Sequence, residues 1–64
     1  GQGYAREAAK AGLEFGHKAG LARIIAVAWE ENHASRHVLR DIGMSECDTF
    51  EYRGRHMVVY ESRK

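Results

Sequence analysis

The sequence contains no proline, a single cysteine and no long apolar run, and each of these shortages excludes a class of protein. Among its 64 residues only Cys47 is a cysteine. One cysteine cannot form an internal disulfide, so the chain is not a small disulfide-stapled secreted domain, and we expect a cytoplasmic location. No apolar stretch approaches the roughly 20 residues that a membrane helix needs. We therefore expect no membrane partner.

The sequence also lacks an excess of either positive or negative charge. Ten Lys and Arg residues stand against nine Asp and Glu residues, for a formal net charge of +1. No basic stripe interleaved with aromatic residues is present, which makes a small nucleic-acid binder the weakest of the functional hypotheses. The composition thus predicts no nucleic-acid partner.

Residues that hold metals or act as nucleophiles are also few. His33 and His37 are four residues apart, a spacing that can place two ligands on one face of a helix. A third ligand is not apparent, so we predict no metal site. Cys47 lies between Glu46 and Asp48, whose charges disfavour the thiolate, and a nucleophilic cysteine is not expected.

The apolar residues that are present, 44% of the chain, suffice for one small core but not for two. We therefore predict a single domain over residues 1–64. The first apolar pattern has helical spacing and predicts a helix over about residues 4–18, ended by Gly20. Its predicted buried stripe consists of Tyr4, Ala8, Ala11, Phe15 and Ala19.

The next two segments predict a strand and a second helix. Residues 24–29 are apolar without alternation, which is typical of a strand inside an α/β sheet with both faces covered. A helix is expected over about residues 33–42, ended by Gly43, with Met44 folding back on its last turn. Its predicted buried side consists of Ala34, Val38, Leu39 and Ile42.

The remainder of the chain predicts a β-hairpin. Phe50 and Tyr52 alternate with polar residues, and Val58 and Tyr60 alternate in the return segment. The turn is expected near residues 53–55. The element order is therefore helix, strand, helix, strand, strand, which places the chain in the α/β (α+β) class.

A glycine-rich segment, residues 1–5 (GQGYA), leads directly into the first helix. Such a segment lets backbone N–H groups converge on an anion, and the helix N-terminus adds its dipole. No Gly-Lys-Ser/Thr follows and no strand precedes it, so it is neither a P-loop nor a dinucleotide fingerprint. Phosphate binding and a flexible start of the chain both stay open from this segment alone.

Taken together, these motifs resemble the GCN5-related N-acetyltransferase (GNAT) family, and within it the ribosomal-protein N-terminal acetyltransferase branch (RimJ/RimL-like). The matching segments keep the family's order along essentially the whole chain, at residues 1–8, 20–24, 31–35, 38–39, 42–44 and 58–60. The resemblance implies the C-terminal half of the acyl-CoA N-acyltransferase fold, with a mixed sheet. Residues 1–64 would then be a single partial GNAT domain.

The function that the resemblance implies is acetyl transfer from acetyl-CoA to a primary amine, with a protein N-terminus as one candidate acceptor. Gly3 and Ala5 occupy the last two fixed positions of the family's acetyl-CoA motif. Pyrophosphate binding through backbone N–H groups is thereby assigned to Gly1, Gln2, Gly3, Tyr4 and Ala5. Asn32 would orient the CoA arm, although an N-cap role explains that residue equally well.

The catalytic residues that the resemblance implies are Ser35 and Glu51. Leu39 stands where many relatives carry a catalytic tyrosine, so Ser35 would supply the proton to the leaving thiolate and Glu51 would act as the base. The alternatives are a Ser35 that satisfies a backbone N–H in its helix and a Glu51 that is a solvated strand residue. Because no activated nucleophile is visible, direct attack by the amine is expected.

A second hypothesis treats the chain as a catalytically inactive fragment or half-domain that acts through self-association or by pairing with a missing half. Strand 24–29 is apolar on both of its faces, yet the sequence predicts at most one neighbouring pair of strands to cover an edge of it. An uncovered strand of this kind invites pairing with another chain. We therefore predict a homo-oligomer.

Overall fold

The computed structural model describes residues 2–64, which form two helices and one three-stranded sheet. The elements are α1 (Gln2–Lys18), β1 (Arg23–Trp29), α2 (His33–Asp41), β2 (Ser45–Tyr52) and β3 (Arg55–Arg63). This order and the fold class are those predicted from the sequence. Neither helix within residues 2–64 combines the length and the apolar character needed to cross a bilayer.

The sheet has the strand order β1-β3-β2, and both of its strand pairs in the described residues are antiparallel. The expected mixed sheet is not observed there, because the return strand β3 inserts between β1 and β2 and separates two strands that run in the same direction. Val58 on β3 thus lies between Ala28 on β1 and Thr49 on β2. β1 is consequently an edge strand of the described sheet, not the internal strand that we predicted.

The core lies on one face of this sheet, beneath both helices. Met44, Val58 and Tyr60 form a buried cluster, at 5%, 2% and 0% exposure. Partly buried apolar side chains from α1, β1 and α2 and its C-terminal end pack around it, namely Leu13, Ala26, Leu39 and Ile42. Tyr60 and Val58 are both on β3, so the central strand supplies most of the core.

The opposite face of the sheet has no helix on it within the described residues. The prediction that both faces of β1 are covered is therefore wrong for this part of the chain: Ile25, Val27 and Trp29 are 44%, 46% and 43% exposed. The physical reason is that α1 and α2 pack on the same side, where Ala28 is 6% exposed.

The buried stripe predicted for α1 is also wrong. Tyr4 and Phe15 are 78% and 75% exposed, whereas Gly16 is buried against β1. A Cβ atom at Gly16 would lie 2.6 Å from Cδ1 of Ile24, so the absent side chain is what permits this close approach. The helix therefore packs along its small residues and Leu13, and its large aromatic residues point away from the sheet.

The predicted turns and helix ends are confirmed. The backbone of Gly43 has φ +97°, and the N–H of Met44 donates to the carbonyl of Leu39, which folds Met44 back onto the end of α2. In the hairpin Arg53 and Gly54 both have positive φ, 51° and 77°, as a two-residue type I′ turn requires.

Candidate functional site

An open groove of about 330 Å³ lies between α1, the edge strand β1 and α2. Its lining consists of small or apolar side chains with one hydroxyl: Ala5, Ala9, Ala26, Val27, Ala34, Ser35, Val38 and Leu39. Alanines supply four of these eight positions and keep the groove open. The groove can therefore hold an elongated, mostly apolar part of a ligand.

A second pocket of about 270 Å³ lies at the C-terminal end of β1. Its lining includes Trp29, Asn32 and Met57, and it shares Val27 and Ser35 with the groove. Ser35 thus lies where the two spaces meet. A hydroxyl at this junction can contact groups that approach from either side.

The N-terminal turn of α1 forms one end of the groove. Because α1 begins at Gln2, residues 2 and 3 of the glycine-rich segment are already helical, whereas the predicted start of the helix is about residue 4. Gly1 lies outside the described residues, as does the side chain of Gln2. The N–H groups of a first helical turn nevertheless lack intrahelical partners, and the helix dipole favours an anion at that place. Gly3 has no atom within 4 Å of a built Cβ position, so space surrounds this turn.

A polar pocket of about 210 Å³ lies beside this turn, lined by Gly3, Arg6, His37, Val38 and Asp41. The Arg6 guanidinium donates a hydrogen bond to the Asp41 carboxylate and so ties α1 to α2. That hydrogen bond and the charge of Arg6 lower the pKa of Asp41, and the same contact raises the pKa of Arg6. The pocket thus holds an ion pair with its positive member near the start of α1.

Asn32 is the N-cap of α2, as one of the two predictions for it stated. Its side-chain oxygen accepts the backbone N–H of Ser35 at 3.2 Å. The capping role therefore belongs to Asn32, and Ser35 is the residue whose N–H is capped. A contact of Asn32 with a CoA arm stays a prediction, and its side chain does line the pocket next to Ser35.

Glu51 is not brought to the groove. It lies on β2, opposite His56 on β3, and its side chain is exposed. Since β3 separates β2 from β1, Glu51 and Ser35 are on different sides of the central strand, and Glu51 lines neither of the spaces that meet at Ser35. The structure thus separates the two predicted catalytic residues.

Arg36 is a residue whose role the sequence reasoning missed. Arginine side chains on a helix are mostly exposed, yet that of Arg36 is only 17% exposed. Its Nε donates to the Tyr60 hydroxyl at 2.9 Å, its Nη1 to the Glu30 carbonyl at 2.8 Å and its Nη2 to Glu46 Oε1 at 3.1 Å. The hydrogen bonds to Tyr60 and Glu46 raise the pKa of Arg36. A signal was available, because a fully buried tyrosine needs a polar partner for its hydroxyl.

These contacts hold α2 against the sheet. Arg36 follows Ser35 directly, and its guanidinium reaches β3 through Tyr60 and β2 through Glu46. Tyr60 in turn donates its hydroxyl to Glu46 at 3.3 Å. The position of Ser35 relative to β1 is consequently fixed by a side chain one residue away.

The described residues contain no cluster of three or more His, Cys, Asp or Glu side chains that could hold a metal ion. His33 and His37, the pair considered from the sequence, are both exposed on α2. His37 lines the polar pocket beside Arg6.

Comparison with known proteins adds to this geometry. Residues 1–45 match the model of the acetyltransferase (GNAT) domain. The chain is 36% identical to a GNAT-family acetyltransferase of known structure from Bacillus anthracis, with a TM-score of 0.89, over 98% of this chain and 42% of that one.

A GnaT-family acetyltransferase from Bordetella pertussis has the same fold at 22% identity, with a TM-score of 0.80, over 95% of this chain and 37% of that one. No curated protein matches the sequence. The chain thus spans less than half the length of these two solved structures.

Proposed function

Because the chain belongs to the GNAT acetyltransferase family, we propose that it supplies the acetyl-CoA site of an N-acetyltransferase that acts on a primary amine. One observation carries this proposal: an apolar groove runs from the first turn of α1 to the hydroxyl-bearing Ser35. We further propose that residues 1–64 form the C-terminal half of the domain, and the activity of the whole enzyme belongs to this proposal.

The first turn of α1 suits the pyrophosphate of CoA. The N–H groups of Gln2, Gly3, Tyr4 and Ala5, with Gly1 before them, would donate to the phosphate oxygens. The absence of a side chain at Gly3 leaves room for an anion to approach the backbone. Arg6 lies close to the same turn and adds positive charge, partly offset by Asp41.

The groove suits the arm that connects the pyrophosphate to the thioester. Its alanine-rich walls leave an open channel, and Ala5 at one end and Ser35 at the other set its direction. When bound, acetyl-CoA supplies a thioester carbonyl that an amine can attack. Asn32, which lines the adjoining pocket, would donate its side-chain amide to the arm while its oxygen caps α2.

Ser35 is the residue that we propose to hold the proton for the departing thiolate. Leu39 lines the groove where relatives carry a tyrosine, so Ser35 is the one hydroxyl among the groove-lining residues of the described chain. The pocket at Trp29 and Met57 would receive the amine, which attacks directly.

Glu51 is our proposed base. Because Glu51 lies across β3 from the groove, it would take the amine proton through a chain of water molecules and not by direct contact.

The proposal also includes the family branch, the acceptor substrate and the cellular location. We propose the ribosomal-protein N-terminal acetyltransferase branch, with a protein N-terminus as acceptor, and a cytoplasmic location. Support for the branch comes from the motif resemblance and from the pairing of Ser35 with a non-tyrosine at position 39.

Calorimetric titration of acetyl-CoA into the chain tests the cofactor site. We expect saturable binding at one site per chain. Gly3→Leu should weaken it by about tenfold or more, because the side chain occupies the space in front of the first turn. Gly12→Leu is the matched control, since Gly12 is in the same helix and also has open space around it. No binding by the unmodified chain at millimolar ligand would refute the proposal.

A second pair of variants tests the groove itself. Ala9→Leu fills the lining, whereas Ala11→Leu places the same group on the same helix outside the groove. We expect weaker binding only from the first. Equal affinities would mean that the ligand does not lie between α1 and β1.

Thiol release with an amine panel tests the chemistry. Peptides with a free N-terminus should be acetylated and N-terminally blocked peptides should not. Ser35→Ala should lower kcat by about a hundredfold with little change in acetyl-CoA affinity, which is the scale of a lost acid or base. Acetylation of lysine side chains alone would contradict the N-terminal assignment.

The second candidate function is that of an inactive half-domain that self-associates. The observation in its favour is that Ile25, Val27 and Trp29 remain nearly half exposed on β1. We propose that the chain is a homo-oligomer in either case. Sedimentation equilibrium tests this, and a monomer throughout the micromolar range would refute it.

A further inference from the structure

The first turn of α2 borders open space on its groove side. Ala34 and Ser35 both line the groove, and both are exposed. The apolar contacts of α2 with the buried cluster come from its C-terminal end, through Leu39 and Ile42. Among the described residues, apolar packing therefore fixes the end of α2 but not its start, where the Ser35 hydroxyl lies.

Arg36 attaches the start of α2 to the sheet. Its Nε and Nη2 donate to the Tyr60 hydroxyl and to Glu46 Oε1, at 2.9 Å and 3.1 Å. Tyr60 is fully buried and donates its own hydroxyl to Glu46, so the three side chains close a triangle of hydrogen bonds. Because a close-packed core leaves Tyr60 little room to shift, Arg36 is tied to a rigid part of the sheet.

Arg36 also fixes the connection between β1 and α2. Its Nη1 donates to the carbonyl of Glu30 at 2.8 Å, while the N–H of Glu30 donates to the carbonyl of His56 on β3 at 2.9 Å. The backbone of Glu30 is thus held from both sides. The N–H of Asn32 donates to the Trp29 carbonyl at 3.0 Å, and the Asn32 carbonyl accepts the N–H of Arg36 at 3.1 Å. One residue therefore joins the sheet, the connection and the first turn of α2.

We propose that Arg36 is a positioning residue for acetyl transfer, which holds the Ser35 hydroxyl and the Asn32 side chain where the groove meets the pocket beside Trp29. This inference rests on the proposed function and deepens it. Arg36 lines neither of these two spaces, so it acts through its neighbours and not by touching the ligand. Three acceptors in different directions require the planar fork of a guanidinium, which a lysine ammonium does not reproduce.

Kinetics of Arg36→Met test the role in the reaction. Methionine keeps an unbranched apolar stem but removes all three hydrogen bonds. We expect kcat to fall by about tenfold to a hundredfold, since a small misplacement of a reacting group has an effect of that size. The affinity for acetyl-CoA should change by at most about fivefold, the scale of one lost hydrogen bond from Asn32. Because kcat is expressed per calorimetric acetyl-CoA site, a loss of folded protein lowers the number of sites and not kcat.

Hydrogen exchange at the Ser35 amide gives a second readout that requires no activity. This N–H donates to the Asn32 side chain at 3.2 Å, so its exchange reports the geometry of the first turn. In Arg36→Met it should exchange about tenfold faster relative to the amides of β3, which report opening of the whole fold. Tyr60→Phe removes one hydroxyl from the triangle and should shift kcat and exchange in the same direction. This milder variant carries the test if Arg36→Met does not fold.

Two control variants separate positioning from charge. Arg23→Met removes an arginine that likewise donates to a glutamate, Glu61 at 2.6 Å, but at the opposite end of β1. It should leave kcat and Ser35 exchange unchanged. Arg36→Lys keeps the charge without the fork and should remain impaired. Full activity in Arg36→Lys would mean that a positive charge suffices, and it would overturn the proposal.

The outcomes distinguish this inference from the proposed function. Unchanged kcat per site in the Arg36→Met and Tyr60→Phe variants would overturn the inference, even if Ser35 exchange is faster, because Arg36 would then only stabilise the fold. A lower kcat without faster Ser35 exchange would also overturn it. If the unmodified chain transfers no acetyl group, the proposed function fails and Ser35 exchange alone decides: faster exchange in Arg36→Met supports the positioning of Ser35, and unchanged exchange overturns it.

Discussion

Truncation of Val58 tests whether the small one-sided core holds the fold together. Val58 is 2% exposed on the central strand β3 and packs in the cluster with Met44 and Tyr60. Val58→Ala removes two carbon groups at about 0.8 kcal/mol each, which gives about 1.6 kcal/mol of lost transfer free energy. The remaining cavity raises the expected loss to about 2–3 kcal/mol.

A loss of this size is large for so short a chain. At about 0.05–0.15 kcal/mol per residue, a domain of this length has an unfolding free energy of about 3–10 kcal/mol. Urea denaturation followed by far-UV circular dichroism measures the change, and with a slope near 1 kcal/mol/M the midpoint should fall by about 2–3 M.

The matched control is Val27→Ala, the same chemical change at a side chain that is 46% exposed on the sheet face opposite the helices. Measured at a concentration low enough for the monomer, it should cost under about 1 kcal/mol, since about half of the side chain is already in water. If Val58→Ala costs no more than Val27→Ala, the assignment of the core to the helix-covered face is refuted.

Two further predictions concern a helix cap and an ion pair. Asn32→Ala should lower the unfolding free energy by about 1 kcal/mol, because the N–H of Ser35 loses its acceptor, and thermal unfolding measures this. The hydrogen bonds from Arg23 and Arg63 lower the pKa of Glu61 in the folded state, so they stabilise the fold above the ordinary glutamate pKa of about 4.3, and this contribution is lost as the pH falls through the lower folded value. Glu61→Gln should therefore give a flatter decline of stability in acid, measured by denaturation at a series of pH values.

The controls for these predictions are conservative. Asn32→Asp retains an acceptor and should cost much less than Asn32→Ala; equal losses would count against capping. Glu14→Gln alters a glutamate for which the described residues show no ion pair, and it should leave the acid limb unchanged. An unchanged acid limb in Glu61→Gln would count against the contribution of the Arg23 contact.

Much of the fold follows from local patterns in the sequence. Gly43 at the end of α2 and Gly54 in the hairpin turn have positive φ, a conformation that glycine adopts easily. The positions of this helix end and this turn could therefore be predicted. Asn32 as N-cap could be predicted for a different reason, because its side-chain oxygen can accept an N–H of the first helical turn. The element order then follows from these boundaries together with the helical and alternating apolar patterns between them.

The candidate site was predictable only as separate residues. The sequence places Ser35 in the first turn of α2 and Ala9 in α1, but their shared groove depends on how closely α1 approaches β1. That approach is set by Gly16 against Ile24, a contact between residues eight apart that no periodicity reports. The separation of Glu51 from Ser35 depends likewise on the insertion of β3.

The sequence by itself determined the elements, their order, the turns and the family, because these depend on residues that are near one another along the chain. Only the tertiary structure decided which apolar residues are buried. Tyr4 and Phe15 follow a helical stripe yet lie in solvent, whereas Arg36 is drawn inward by the hydroxyl of Tyr60. The physical reason is that a side chain is buried only where its face packs against another element. An apolar pattern shows that a face can be covered, but it does not show which element covers it.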